Sequence, residues 1–155
     1  MAVCGVKNVG KTTFLTNLIP LFRARGLTVG VIKSDAHDFE PDRQGSDSYK
    51  LKAAGALGVA VYSPFRYMVI KDHKGLTPLD LVPFFSDYQI VLLEGGKNSP
   101  YPKIELLRTG HSPGLLSSPP HLAFCADGIF PWPKDSLVFG LTDYQAIADL
   151  IVSRL

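Results

Sequence analysis

An α/β fold with a mostly parallel sheet flanked by helices follows from three observations. The short apolar run Ala2-Val3-Cys4 leads straight into Gly5-Val6-Lys7-Asn8-Val9-Gly10-Lys11-Thr12, and a helical pattern comes next. Further along, apolar runs of strand length alternate with helix-patterned segments, as βαβ units require. The run Gln89-Ile90-Val91-Leu92-Leu93 is apolar without alternation, which suits a strand buried on both faces of a parallel sheet.

The segment from Gly5 to Thr12 satisfies G-x-x-x-x-G-K-[ST], the pattern of a phosphate-binding loop, and predicts a P-loop NTPase-like fold. Its glycines let the backbone from Gly5 through Asn8, Val9 and Gly10 curl around phosphate oxygens. Lys11 reaches the β- and γ-phosphates, and the Thr12 hydroxyl is a ligand for Mg²⁺. A glycine turn that merely precedes Lys and Thr would lack the strand before it and the helix after it; here both are in place. Leu15, Leu18, Ile19 and Phe22 recur at helical spacing, so the helix buries one face while its N-terminal N–H groups and partial positive charge point at the phosphates.

The remaining elements follow in order. Arg25-Gly26 is a basic last turn with a glycine stop, and Thr28 to Ile32 is a β-rich strand that completes a βαβ unit. Lys33 to Asp47 is polar, contains Pro41 and Gly45, and reads as a long loop. Ser48 to Gly55 is a short helix. Val59 to Tyr62 and Tyr67 to Ile70 are strands joined by Ser63-Pro64-Phe65-Arg66, an added β-hairpin. Thr77 is the N-cap and Pro78 the first residue of a helix to Phe85, followed by the apolar strand from Gln89. Ile104 to Leu107 and Leu122 to Cys125 are strands, separated by a Ser/Pro/Gly-rich connection from Thr109 to Pro120. Asp143 to Leu155 closes the chain as an amphipathic helix. No internal repeat interrupts this pattern, and residues 1–155 read as one nucleotide-binding domain.

Bulk properties narrow the partners. Sixteen basic against fourteen acidic residues leave a formal charge of +2 over 155 residues, so no strongly basic surface points to nucleic acid or a membrane. The apolar runs are too short or too interrupted to span a bilayer, and Met1 leads almost directly into the first strand without room for a signal peptide. Cys4 and Cys125 end apolar strands, which suits buried thiols in a reduced cytoplasm.

Two acidic positions follow strands. Glu94, in Glu94-Gly95-Gly96-Lys97, ends the central apolar strand, where a carboxylate holds Mg²⁺ or orients the attacking water; the alternative is an ordinary acidic turn. Asp35 lies past the second strand's carboxyl end, where ligands gather in open α/β sheets, and is the second candidate for metal and γ-phosphate. His37, Asp38 and Asp42 share that loop without matching a compact transition-metal pattern, and read as a solvated loop or as a switch segment that orders around the γ-phosphate.

Four segments carry a specific resemblance: the loop Gly5 to Thr13; Val31-Ile32-Lys33-Ser34-Asp35-Ala36-His37-Asp38-Phe39-Glu40; Gly45-Ser46-Asp47-Ser48-Tyr49 with Ala54-Gly55-Ala56; and Leu93-Glu94-Gly95-Gly96-Lys97. Together they resemble the MobB family of molybdopterin-guanine dinucleotide biosynthesis adaptors, over most of the chain up to about residue 103. The resemblance implies a dimeric GTP-binding protein with weak GTPase activity that assists the molybdenum cofactor nucleotidyltransferase attaching GMP to molybdopterin. It also implies that Lys11, Thr12 and Thr13 bind phosphates and Mg²⁺, with Asp35 and Glu94 at the metal and γ-phosphate. Ser34 and Ser46 depart from the basic residues of that pattern, and Gly96 from an aromatic.

The chain has no Asn-Lys-x-Asp run to read guanine. Asp127, in Cys125-Ala126-Asp127-Gly128, would accept from guanine N1–H and N2–H with one carboxylate and reject adenine; a plain Asp-Gly turn is the alternative. Lys97 and Asn98 are lesser candidates for sugar or base contact. Against the GTP-binding adaptor stands a P-loop small-molecule kinase, which would carry an arginine-rich lid, whereas the six arginines form no cluster in sequence. A metal-delivery GTPase would need a Cys/His cluster that is missing. Gly128 to Pro133 places Ile129, Phe130 and Trp132 in a proline-held loop that either packs on the core or meets a partner.

Overall fold

The computed structural model describes residues 1–35 and 39–155; His37 and Asp38 of the predicted acidic loop lie outside the described residues. The chain divides into two compact units, Met1–Ser34 with Pro78–Leu155, and Asp35–Thr77.

The first unit is built on a six-stranded sheet of β1 (Ala2–Cys4), β2 (Val29–Lys33), β5 (Ile90–Glu94), β6 (Lys103–Leu107), β7 (His121–Ala126) and β8 (Val138–Gly140), in the order β2-β5-β1-β6-β7-β8. Every neighbouring pair is parallel. From β1 the chain crosses through helix α1 (Lys11–Ala24) to β2 on one side, while β6, β7 and β8 extend the sheet on the other. The order therefore reverses at β1. That switch point opens a crevice at the carboxyl ends of β5, β1 and β6, where an open α/β sheet binds ligands.

Alternation along each strand sorts the core onto two faces. Val3, Ile90, Leu92, Ile104, Leu106, Ala123 and Cys125 face one side with Phe14, Leu15, Leu18 and Phe22 of α1, and with Ile147, Ala148 and Ile151 of the C-terminal helix α4 (Tyr144–Val152). The Phe14 and Tyr144 rings meet there at a centroid distance of 5.7 Å. On the other face Ala2, Cys4, Ile32 and Leu93 pack with Leu81, Val82 and Phe85, from the short helix α3 (Pro78–Leu81) and the 3₁₀ turn Val82–Phe85. The single helix predicted from Pro78 to Phe85 thus tightens half-way, where Pro83 supplies no backbone N–H. Phe130 and Trp132 of the proline-held loop pack on Leu107, Phe124 and Ala126, whereas Ile129 of the same loop is exposed.

Two charged side chains are buried in β6. Lys103 is fully buried and Glu105 is 1% exposed, although alternation of polar residues in a strand ordinarily marks a solvated face. The Ser/Pro/Gly-rich connection covers them. Glu105 accepts from Leu116 N at 2.6 Å, Ser117 N at 3.2 Å and Ser117 Oγ at 2.6 Å, while Lys103 Nζ donates to the Tyr101 and Pro119 carbonyls at 3.0 and 3.4 Å. A segment without regular structure is held by charge-assisted bonds in place of a ladder.

The second unit contains α2 (Asp47–Ala53) and the antiparallel hairpin β3 (Gly58–Ser63) and β4 (Arg66–Lys71). Ser46 caps α2, its Oγ accepting from Tyr49 N at 3.1 Å, so the helix starts one residue before the predicted Ser48. Asp42 is bound into the same turn: hydrogen bonds from Ser48 first, then Ser46 and the Arg43 backbone, hold its carboxyl below the ordinary carboxylate range. Tyr62, Phe65 and Tyr67 of the hairpin are all exposed, Phe65 to 92%.

Candidate functional site

The loop between β1 and α1 is shaped by its glycines. Gly5 has φ +138°, and a Cβ there would stand 2.6 Å from the Leu106 carbonyl oxygen, so only glycine lets the loop leave β1 against β6. Gly10, at φ 108°, is the N-cap of α1 and its carbonyl accepts from Phe14 N at 2.8 Å. Asn8 also has positive φ, at 61°, which its short polar side chain tolerates. Val9 is 1% exposed and belongs to the core. Of the loop residues predicted to bind phosphate, Val9 therefore anchors the loop through its side chain and presents only its backbone.

Lys11 folds back across the loop, donating from Nζ to the carbonyls of Gly5 at 3.1 Å and Val6 at 2.7 Å. Burial lowers its pKa against the opposing pull of Glu94 and Cys4, with Lys33 adding to the lowering. A cation at an apical helix N-terminus, weakened by desolvation and satisfied only by carbonyls, gains from an anion placed there.

Glu94, buried at the end of β5, meets this loop. Thr12 Oγ1 donates to Glu94 Oε1 at 2.8 Å, and Lys33 Nζ stands 3.6 Å from the same oxygen. The loop after β5 is tied down on both sides: Gly95 N donates to the Val3 carbonyl at 2.9 Å, and Cys4 Sγ to the Gly95 carbonyl at 3.1 Å. Gly96 has φ +66° and a Cβ would fall 2.4 Å from Leu93 Cδ2, which accounts for glycine where the resemblance led to an aromatic. Thr13 is exposed, and its carbonyl takes bonds from Thr16 and Asn17. One hydroxyl and one carboxylate fit Mg²⁺, which completes its shell with phosphate oxygens and water, better than an all-protein cage.

This geometry coincides with a family match. The family model described as "Molybdopterin guanine dinucleotide synthesis protein B", MobB, covers residues 1–127. The chain belongs to the MobB family. A molybdopterin-guanine dinucleotide biosynthesis adapter protein of Escherichia coli is 33% identical over 159 residues, spanning 98% of this chain and 90% of its own length. One of the same description from Haemophilus influenzae is 30% identical over 158 residues, spanning 100% of this chain and 88% of its own. The crystal structure of Bacillus subtilis MobB superposes with a TM-score of 0.75 at 27% identity, covering 99% of this chain and 96% of that one. The parallel sheet, its flanking helices and the added hairpin are thus the MobB architecture, a P-loop fold.

The other predicted residues fall in three places. Asp127 is exposed at the carboxyl end of β7, and its Oδ1 accepts from Thr109 N at 2.6 Å. That bond, with the Thr109 hydroxyl and nearby Arg108, lowers its pKa despite some desolvation. Asp35 opens the second unit, two residues past the end of β2. Lys97 is exposed, and its carbonyl accepts from Ser118 N and Oγ at 3.0 and 3.2 Å, so its backbone supports the loop after Glu94. Two residues that sequence reasoning passed over reach the phosphate loop from the carboxyl end of β6. His111 Nε2 lies 2.8 Å from the Lys7 carbonyl, which can only accept, and so carries the proton. Arg108 Nη2 stands 3.7 Å from where a Gly10 Cβ would be. The hint was the Arg-Thr-Gly-His run directly after an apolar strand.

Proposed function

We propose that this chain is a GTP-binding adaptor with slow intrinsic GTPase activity in molybdopterin-guanine dinucleotide biosynthesis, working in the cytoplasm beside the nucleotidyltransferase that attaches GMP to molybdopterin. The Thr12–Glu94 hydrogen bond carries the reading, because it puts a hydroxyl and a buried carboxylate at the N-terminus of α1 beside the lysine of the phosphate loop. Thr12 and Glu94 would hold Mg²⁺, which would supply charge neutralisation to the β- and γ-phosphates. The loop backbone from Gly5 to Thr13 binds the phosphate chain, Lys11 exchanges its carbonyl partners for phosphate oxygens, and Glu94 orients the attacking water.

Asp127 supports the choice of guanine. It stands two strands from β1 on the side away from Glu94, about 10 Å across the sheet at the ordinary strand spacing, and its exposed carboxylate is the acceptor proposed for N1–H and N2–H. The exposed aromatic residues of the hairpin support a homodimer that covers them with a second copy. Calorimetric titration with Mg²⁺·GTP and Mg²⁺·ATP, beside a turnover assay, tests the reading. Preference for GTP with slow hydrolysis is expected. Equal affinities would remove the guanine assignment, and rapid transfer to a small acceptor would make the protein a kinase.

A further inference from the structure

The turn after β6 is closed by hydrogen bonds of its own. Arg108 N donates to Ser112 Oγ at 3.0 Å, and the Arg108 carbonyl accepts from His111 N at 3.1 Å and Ser112 N at 2.8 Å. Two outside bonds fix where this turn sits. His111 Nε2 donates to the Lys7 carbonyl, latching it to the phosphate loop, and Thr109 N donates to Asp127 at the end of β7. Arg108 is thereby held between the two, its side chain over the Cβ position of Gly10.

Among the described residues, the ion pairs involve Arg25, Lys33, Lys50 and Lys52, and the Arg108 guanidinium enters none of them. It is exposed, and it adds a full positive charge to a helix N-terminus that already carries partial positive charge and Lys11. Asp127 lies near Arg108 and Glu94 near Lys11, so each cation has an acidic neighbour, and an anion set between the two cations would add a favourable contact with both. The fork of donors on Arg108 suits a phosphate in particular.

Its side of the sheet says which phosphate. Thr12 and Glu94 meet on the β5 side of β1, where the metal and γ-phosphate would sit; Arg108 approaches from the β6 side, the side of Asp127. We infer that Arg108 binds the base-proximal phosphates of a guanine nucleotide in cis, as a ground-state clamp rather than a γ-phosphate finger. This inference rests on the GTP-binding reading above.

The test is a titration of the full-length protein and its Arg108→Ala and Arg108→Lys variants with GDP and with GTP, in low and high salt, with circular dichroism to confirm folding. Arg108→Ala should weaken GDP and GTP by the same factor, about 10- to 100-fold. Arg108→Lys should recover part of that loss, since it keeps the charge but not the fork, and the parent's affinity should fall more steeply with salt than that of Arg108→Ala. Unchanged GDP affinity in a folded Arg108→Ala protein would overturn the inference while leaving GTP binding by the parent intact. A loss confined to GTP would also overturn it, in favour of a γ-phosphate contact. If the parent binds no guanine nucleotide, the functional reading falls and this inference with it.

Discussion

The hydroxyl of Thr12 donates to Oε1 of Glu94 across 2.8 Å, joining the first turn of α1 to the end of β5. The two residues are far apart in sequence and meet because β1 and β5 are parallel neighbours, with Val3 opposite Glu94. In the proposed GTPase, a carboxylate at that place would act on the reaction more than on binding, since it would orient a water that gains charge only in the transition state.

Glu94→Gln should therefore slow GTP hydrolysis by on the order of 100-fold while changing GTP affinity much less. The amide oxygen can still accept from Thr12, so the fold stays intact. Single-turnover hydrolysis beside a fluorescent-nucleotide titration separates the two effects. An unchanged rate would reduce Glu94 to a turn residue.

Asp127→Ala should erase discrimination between GTP and ATP. Each hydrogen bond from guanine to a carboxylate contributes about 1.5–3 kcal/mol, enough for more than tenfold preference. Competition of ATP against bound GTP measures it, and a preference that survives the substitution would assign the base contact elsewhere.

Glu105→Leu should destabilise the protein by roughly 1–3 kcal/mol, because it leaves the Leu116 and Ser117 N–H groups without their acceptor. Urea unfolding of parent and variant decides this, and an unchanged midpoint would show that the Glu105 carboxylate does not hold the connection in place.

Much of this was legible in the sequence. The phosphate loop, the strand before it and the helix after it follow from spacing alone, as do β5, the hairpin and the terminal helix, because each has a full period of apolar residues. The strand β8 was not foreseen, since Val138–Gly140 offers three residues and no period. The roles of Lys103 and Glu105 were hidden for a different reason. Their burial depends on a loop that reads as irregular. Arg108 and His111 reach the phosphate loop only because β6 lies beside β1, a pairing that no local pattern encodes.

Alkaline pH should weaken the fold. Burial raises the Cys4 thiol to about 11, helped by Glu105, and the Cys125 thiol to about 12, helped by Asp143. Both folded values lie above the unfolded ones, so the native state holds these protons more tightly. The associated stability is fully present below about pH 9 and is lost as pH rises towards 11 to 12, by on the order of 3 kcal/mol for each thiol. Urea unfolding at pH 8 and pH 10.5 should show the decline, and Cys125→Ala should roughly halve it, leaving the share of Cys4. The same slope in Cys125→Ala would place the titration elsewhere.

The central claim is that the loop from Gly5 to Thr12 binds the phosphates of a nucleotide, and Lys11→Ala tests it most directly. Lys11 is only partly buried and bonds to loop carbonyls, so the variant should stay folded. Calorimetric titration of parent and variant with Mg²⁺·GTP should show binding by the parent and loss of most of that affinity in the variant, whereas equal binding by both would contradict the account.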